Sequence, residues 1–260
     1  MSFLVEDRAE APEQHAKPGT AVGIDRGVRF AAVTSDGDFH DRAFVTGGES
    51  LRYRRLQQRL ARSKKGSANR RKTVAAMNRV MGRVTDRRGD FCAQVAGRIT
   101  AKNELVALED LKTRNMSASA SGTVAEPGRR VAQKRGLNKA ILNKGWHRLE
   151  QALAGAARYT GTRLVKVNPA YTSQRCSACG FVTENNRESQ AVFRCKAAGC
   201  GHAENADVNA AKNIRYAGGQ SVSACGDLGD TRSAKQEPVG RATGRTRAAA
   251  RSADPGIPVL

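Results

Sequence analysis

Aromatic residues are scarce in this chain of 260 residues, where Phe, Trp and Tyr together make up only 5%. Few side chains are therefore available to stack on the bases of a single-stranded nucleic acid. Long apolar runs are missing as well, and no stretch approaches the ~20 residues of a membrane-spanning helix. The opening residues, MSFLVEDRAEAPEQ, lack the basic start and apolar centre of a signal peptide. We therefore expect no membrane span and a location in the reducing cytoplasm.

Acidic residues are also few, since 24 Asp and Glu face 45 Lys and Arg, and the formal net charge is +21. Between residues 51 and 85 there are twelve Lys or Arg and no acid. Like charges repel one another unless a partner neutralises them, so this run indicates more than a solvated helix face. DNA or RNA, held mainly through its phosphates, is the first candidate partner, and an anionic membrane surface is the second.

Four of the six cysteines lie in two pairs, and this arrangement predicts a metal site. Thiolates are soft ligands, and four of them suit a closed tetrahedral zinc site. The first pair has the spacing C-x2-C and the second the looser spacing C-x4-C. The sequence therefore predicts a small zinc ribbon over residues 171–202, with Zn²⁺ bound by Cys176, Cys179, Cys195 and Cys200.

Three alternatives to this ligand set remain open at the level of sequence. The cysteines could be unrelated structural residues, or they could form disulfides, although nothing marks a secreted chain. His202 follows Cys200 closely and competes with it for the fourth ligand position. Gly199 and Gly201 ease the turn on which both of them lie.

The hydrophobic pattern predicts a mixed α/β fold with a basic tail. The residues between 112 and 136 are small and basic, and we expect a mobile loop or a disordered insertion there. The predicted elements are a β-hairpin in 21–45, two basic helices in 51–103, a buried strand at 105–108, an amphipathic helix carrying Leu142, Trp146, Leu149 and Leu153, a strand at 163–167, a last helix around 210–216, and a disordered tail over 217–260.

Three carboxylates stand at distinctive places in this pattern. Asp25 is predicted in the middle of the first strand, Glu109 at the end of the next, and Asp207 at the start of the last helix. Each has a plainer alternative: a surface acid for Asp25, a solvated loop acid for Glu109, and a helix cap for Asp207, a role that Asn205 could also fill. The order of elements is compatible with an RNase H-like layout, which brings three acids together. Clustered carboxylates need cations, and hard oxygen ligands favour Mg²⁺ or Mn²⁺.

The stretches VGIDRGV, VALEDLKTRNM, NPAYTSQRCSACG, FRCKAAGCGH and NADVNAAKNI resemble the C-terminal part of the transposon-encoded TnpB/OrfB family, relatives of type V CRISPR effector nucleases. The resemblance spans residues 21–216. It implies a RuvC-type nuclease core in which Asp25, Glu109 and Asp207 are the catalytic, metal-binding acids, with a zinc ribbon just before the third acid. The implied function is transposon-associated, metal-dependent DNA cleavage, guided by RNA in the complete family form.

The resemblance also divides the chain, into residues 1–20, a nuclease core of 21–170 plus 203–216, the ribbon 171–202 and the tail 217–260. Complete family members carry an N-terminal half that grips the guide RNA, whereas only twenty-four residues precede Asp25 here. We therefore expect an N-terminally truncated form that binds nucleic acid without guided cleavage. The alternatives are a non-cleaving, zinc-stabilised DNA- or RNA-binding module, and a ribosome-like basic zinc protein that would leave the acids unexplained.

Overall fold

Five strands form the main sheet of the computed structural model, which describes residues 12–123 and 125–224. The strands are β1 (Ala21–Asp25), β2 (Ala32–Thr34), β3 (Phe39–His40), β4 (Leu105–Glu109) and β5 (Arg163–Val167). The sheet order is β3-β2-β1-β4-β5. The first three strands pair antiparallel, whereas β1, β4 and β5 are parallel and need crossover connections.

Six α-helices make the crossovers and cover the sheet in the described part of the chain. The first two correspond to the two basic helices that the sequence predicts, and Thr46 and Ser67 cap their N-termini. The helices are α1 (Gly47–Ala61), α2 (Ala68–Lys102), α3 (Thr113–Met116), α4 (Val131–Lys144), α5 (Trp146–Thr160) and α6 (Ala206–Ala224). Among the described helices, none combines the length and the apolar character needed to cross a membrane.

Alternation of side chains along β1 and β4 divides the core into two layers. One face packs against α2 and α5 in the largest apolar cluster, to which the sheet contributes Val22, Ile24, Val106 and Leu108. On the other face, Ala107 lies in a cluster with Ile214 of α6. One step further along each strand, the same alternation places Asp25 and Glu109 on the α6 face.

Gly23 lets α6 lie directly on this face. A Cβ atom at this position would stand 2.0 Å from the carbonyl oxygen of Ala211 and 2.4 Å from the amide nitrogen of Arg215. A glycine leaves room for another segment to approach the backbone closely, and the helix fills that room. Close contact between β1 and α6 in turn fixes where the first turn of α6 meets the ends of the strands.

The ribbon is a separate small sheet seated on α6. Its two strands, β6 (Val192–Arg194) and β7 (Ala203–Asn205), pair antiparallel, and a 3₁₀ turn at Glu184–Asn186 precedes them. Asn209 and Asn213, one helical turn apart on α6, both donate side-chain hydrogen bonds to the carbonyl oxygen of Arg175. The helix therefore carries the ribbon on one face.

Several predicted boundaries differ from the observed ones. The sequence predicted Asp25 in the middle of the first strand, but β1 ends at Asp25. The helix predicted through Leu142 is two helices, α4 and α5, separated by Gly145 in the left-handed region (φ 70°), and Leu142 is exposed. Helix α4 also begins inside the predicted loop 112–136.

The C-terminal boundary differs as well, because α6 continues to Ala224, into the predicted tail. The rest of the predicted tail lies outside the described residues, as do the first eleven residues of the predicted segment 1–20.

Candidate functional site

The four paired cysteines converge on one point. Their sulfur atoms all lie within 4.8 Å of one another. The Cys176 and Cys200 sulfurs are 3.9 Å apart and the Cys179 and Cys195 sulfurs 3.5 Å, far longer than a disulfide bond. Four sulfurs around one zinc ion at ~2.3 Å would be separated by about 3.8 Å, so the spacing fits a tetrahedral site. The cluster can hold a metal ion such as zinc.

Local backbone geometry explains why these spacings work. Glycines at 180, 199 and 201 adopt positive φ angles of 79°, 77° and 61°. These angles are available to glycine at little cost, and they turn each cysteine pair back on itself. Phe193, fully buried, packs with Cys176 and Cys195 beneath the site.

His202, the competing ligand, points elsewhere. Its Nε2 atom lies 2.8 Å from Oε1 of Glu204 and 3.3 Å from the hydroxyl of Ser177. Cys200 takes the fourth place in the sulfur cluster instead. The geometry therefore favours Cys200 over His202 as the fourth ligand.

The three acids meet at the carboxyl ends of β1 and β4, beside the start of α6. Ile24 and Leu108 are paired across these parallel strands, so Asp25 and Glu109 follow side by side. Asp207 lies in the first turn of α6, and it is 6% exposed, against 8% for Glu109. Carboxyl ends of parallel strands are a usual place for ligand-binding side chains.

Asn205, and not Asp207, caps α6. The Asn205 side-chain oxygen accepts hydrogen bonds from the backbone amides of Asp207 and Val208, at 2.9 and 3.3 Å. The Asp207 carboxylate is thereby free to face the strands. It receives a hydrogen bond of 3.0 Å from Arg187, a residue of the ribbon.

Electrostatics shows that the acids lie close enough to affect one another. Burial, followed by the nearby charges of Glu109 and Asp207, raises the pKa of Asp25 to about 7, while Arg187 opposes the shift. Burial also raises the pKa of Glu109, and a hydrogen bond from Thr172 opposes this shift. A cluster of carboxylates is destabilised when its members are ionised, and a bound cation stabilises the ionised form.

The two candidate metal sites are not equally tight. Within residues 12–123 and 125–224, the cysteines form the one group of three or more potential ligands whose donor atoms lie within 4.8 Å. Asp25, Glu109 and Asp207 share an edge of the fold, but their oxygens are not gathered that closely.

Residues that the sequence did not single out support the acids. The Thr172 hydroxyl donates to Oε1 of Glu109 at 2.5 Å. The Arg26 side chain, 1% exposed, donates to the Glu109 carbonyl oxygen and to Glu150 of α5 at 3.0 Å. The sequence offered one signal for these contacts, the position of Arg26 next to Asp25. The contacts themselves join segments that lie far apart in the chain.

Fold and site together define a mixed α/β protein with a cysteine-rich ribbon beside a buried group of acids. Residues 2–120 match the OrfB_IS605 family, described as a probable transposase. Residues 146–214 match the Cas12f1-like TNB domain. Over these segments the chain matches the OrfB transposon-encoded family and a domain of Cas12f1-like proteins, which confirms the resemblance that the motifs indicated.

Curated relatives are similar over most of this chain. The putative RNA-guided DNA endonuclease InsQ of Escherichia coli K12 is 40% identical over 240 residues, which are 92% of this chain and 58% of the relative. A putative RNA-guided DNA endonuclease of Streptomyces pristinaespiralis is 32% identical over 229 residues, 87% of this chain and 51% of the relative. The chain thus spans only a little over half of either relative. Among solved structures, a CRISPR-Cas12f ternary complex matches with a TM-score of 0.44 and 22% identity, over 79% of this chain and 40% of that one.

Proposed function

We propose that this chain is the nuclease part of a transposon-associated DNA endonuclease, with an RNase H-like (RuvC-type) core. The observation that carries the proposal is the meeting of Asp25, Glu109 and Asp207 at one edge of the sheet, in a chain of this family. The sheet order, with a β-hairpin beside parallel strands, supports the assignment of the core. RNA guidance is proposed from the relatives named as RNA-guided, of which this chain spans only part.

The acids suit Mg²⁺ or Mn²⁺, because hard cations prefer carboxylate oxygens. The raised pKa of Asp25 supports this, since a cation between the carboxylates would remove the repulsion that causes part of the shift. Such ions, when bound, lower the pKa of a water molecule and stabilise the leaving oxygen of a phosphodiester.

The chain's own residues would orient the acids. Thr172 holds one oxygen of Glu109 and leaves the other for a ligand. Arg187 pairs with Asp207, so a cation that binds there has to compete with this guanidinium.

A direct test is cleavage of DNA by the purified chain with Mg²⁺ or Mn²⁺, with and without a family guide RNA. We expect any cleavage to disappear in Asp25→Ala and Glu109→Gln and to survive in Asp110→Asn. Asp110 is the matched control because it is an exposed acid next to Glu109, paired with Lys112 at 2.6 Å. Cleavage by Asp25→Ala equal to that of the parent would refute the acid assignment.

A non-cleaving DNA- or RNA-binding module is the second candidate, favoured by the Arg187–Asp207 pair that already neutralises one acid. It predicts that DNA binding is present and that no metal or guide brings about cleavage. If the chain cuts DNA at one site only when a guide RNA is supplied, this candidate fails, and so does our expectation of binding without guided cleavage.

We propose further that the ribbon holds one structural zinc ion through Cys176, Cys179, Cys195 and Cys200, with no position open to water. Metal analysis of purified variants tests the ligand set. Cys200→Ser should lose zinc, whereas His202→Ala should keep it. Undiminished zinc in Cys200→Ser would remove Cys200 from the set.

A further inference from the structure

A cavity lined by cationic side chains lies away from the acids and the ribbon. It is a cavity of about 300 Å³ between the segment before α1, the middle of α2 and the end of α4. This size is at the lower end of the range typical of small-ligand pockets. Its charged and polar lining consists of Asp41, Arg42, Arg88, Asn143 and Lys144.

The acids near this cavity are already paired. Asp41 binds Lys144 at 2.5 Å, and Arg42 binds Asp90 at 3.1 Å. These contacts leave Arg88 without a carboxylate among the residues that the structure describes. A guanidinium keeps its charge at any physiological pH, so Arg88 is a half-buried cation that can accept an anionic ligand.

Arg88 is held in place without that anion. Its guanidinium lies 5.3 Å from the ring centre of Phe44, and its Nε atom is buried with no hydrogen-bond acceptor. The Cδ atom would stand 2.6 Å from a Cβ at residue 145, where glycine makes room for it. Burial and the neighbouring Arg148 lower the pKa of Arg88, as expected for a cation that lacks a counter-ion.

We propose that this cavity binds a phosphate group, with Arg88 as the main ligand and Lys144 and Asn143 beside it. A guanidinium presents a planar fork of donors that matches phosphate oxygens, and a fork already packed on Phe44 loses little freedom on binding. Two sources can supply this group: the backbone of a nucleic acid, or a free phosphate ion. The first source rests on the proposed function, and it is favoured because α2 also carries much of the acid-free basic run.

Two probes separate these sources: inorganic phosphate, titrated by calorimetry, and duplex DNA without Mg²⁺, titrated at several salt concentrations. Arg88→Met keeps the aliphatic stem and removes the donors. Arg158→Met is the matched control, because Arg158 is an exposed arginine that also lies over an aromatic ring, that of Tyr159. Circular dichroism and melting curves check that each variant is folded.

We expect Arg88→Met to weaken phosphate binding at least about tenfold, with no change in Arg158→Met. Asp41→Asn should strengthen it, because the cavity then loses an acid and Lys144 loses its ion pair, although its hydrogen bond to the Arg29 carbonyl oxygen remains. If the site belongs to a nucleic acid, Arg88→Met also reduces the log–log salt slope on DNA by about 0.9 beyond the control.

A lost phosphate response with an unchanged DNA slope would assign the site to free phosphate. Equal phosphate binding by Arg88→Met and the parent would overturn the proposal and leave Arg88 as a packing residue. None of these readouts requires cleavage, so the nuclease assignment can fail independently.

Discussion

Asp25 is the residue at which stability and the proposed function conflict most clearly. Its carboxyl has a pKa of about 7 in the fold, against 3.8 for an exposed Asp, so ionisation costs the folded state free energy. The sign follows from linkage: without a bound metal, the contribution of Asp25 to stability falls as pH rises from about 4 to about 7, and the loss is complete above that.

We therefore predict that Asp25→Asn stabilises the metal-free protein, and that the gain grows between pH 5 and pH 8. The gain should be on the order of 1–4 kcal/mol at pH 8, because part of the burial energy persists in the amide. Thermal melts at the two pH values, with EDTA-treated protein that retains its zinc, would show it. A gain that is equal at both values would place the cause outside the ionisation of Asp25.

The roles of Asn205 and Asp207 can be distinguished by the stability of variants. We predict that Asn205→Ala lowers stability by about 1 kcal/mol, because it removes the acceptor for two backbone amides of α6. Asp207→Asn should lack this effect, since Asp207 is not the cap. Chemical denaturation of both variants measures the difference, and the reverse order would restore Asp207 as the capping residue.

At the scale of elements, the contact between β1 and α6 holds the acids together. Gly23→Ala should destabilise the fold by at least about 3 kcal/mol, because the added methyl group meets backbone atoms that cannot rotate away. Gly27→Ala is the control: its nearest neighbour would be the Phe30 carbonyl oxygen at 3.4 Å, an ordinary contact. Denaturant melts test the pair, and similar stabilities would mean that α6 does not pack as described.

The elements that could be predicted are those whose sequence patterns are short and local. The strand ending in Glu109 and the two basic helices followed from short patterns, and so did the cysteine cluster, because its turns lie within each pair. The break at Gly145 was missed because the apolar spacing continues through it from Leu142 to Trp146, although only Trp146 is buried.

Contacts between distant segments could not be predicted. Arg187 lies in the ribbon and Asp207 on α6, and nothing in either segment alone indicates that they pair. The choice of cap could not be made either, because Asn205 and Asp207 both suit that position and only the observed start of α6 decides between them.

At the scale of the whole molecule, the net charge of +21 predicts nucleic-acid binding dominated by phosphates. We expect DNA affinity to fall steeply with salt, with a log–log slope of about −0.9 for each phosphate neutralised. Replacing the exposed arginines 52, 55 and 59 of α1 with glutamine should make the slope shallower. Fluorescence anisotropy at several salt concentrations measures it, and an unchanged slope would remove α1 from the binding surface.

The central claim, that Asp25, Glu109 and Asp207 bind divalent metal, is tested most directly by calorimetric titration of Mn²⁺ into zinc-loaded protein. The account predicts that the parent and Asp110→Asn bind Mn²⁺ alike, whereas Asp25→Asn and Asp207→Asn lose binding. Undiminished Mn²⁺ binding in both of these variants would contradict it, whatever the protein does to DNA.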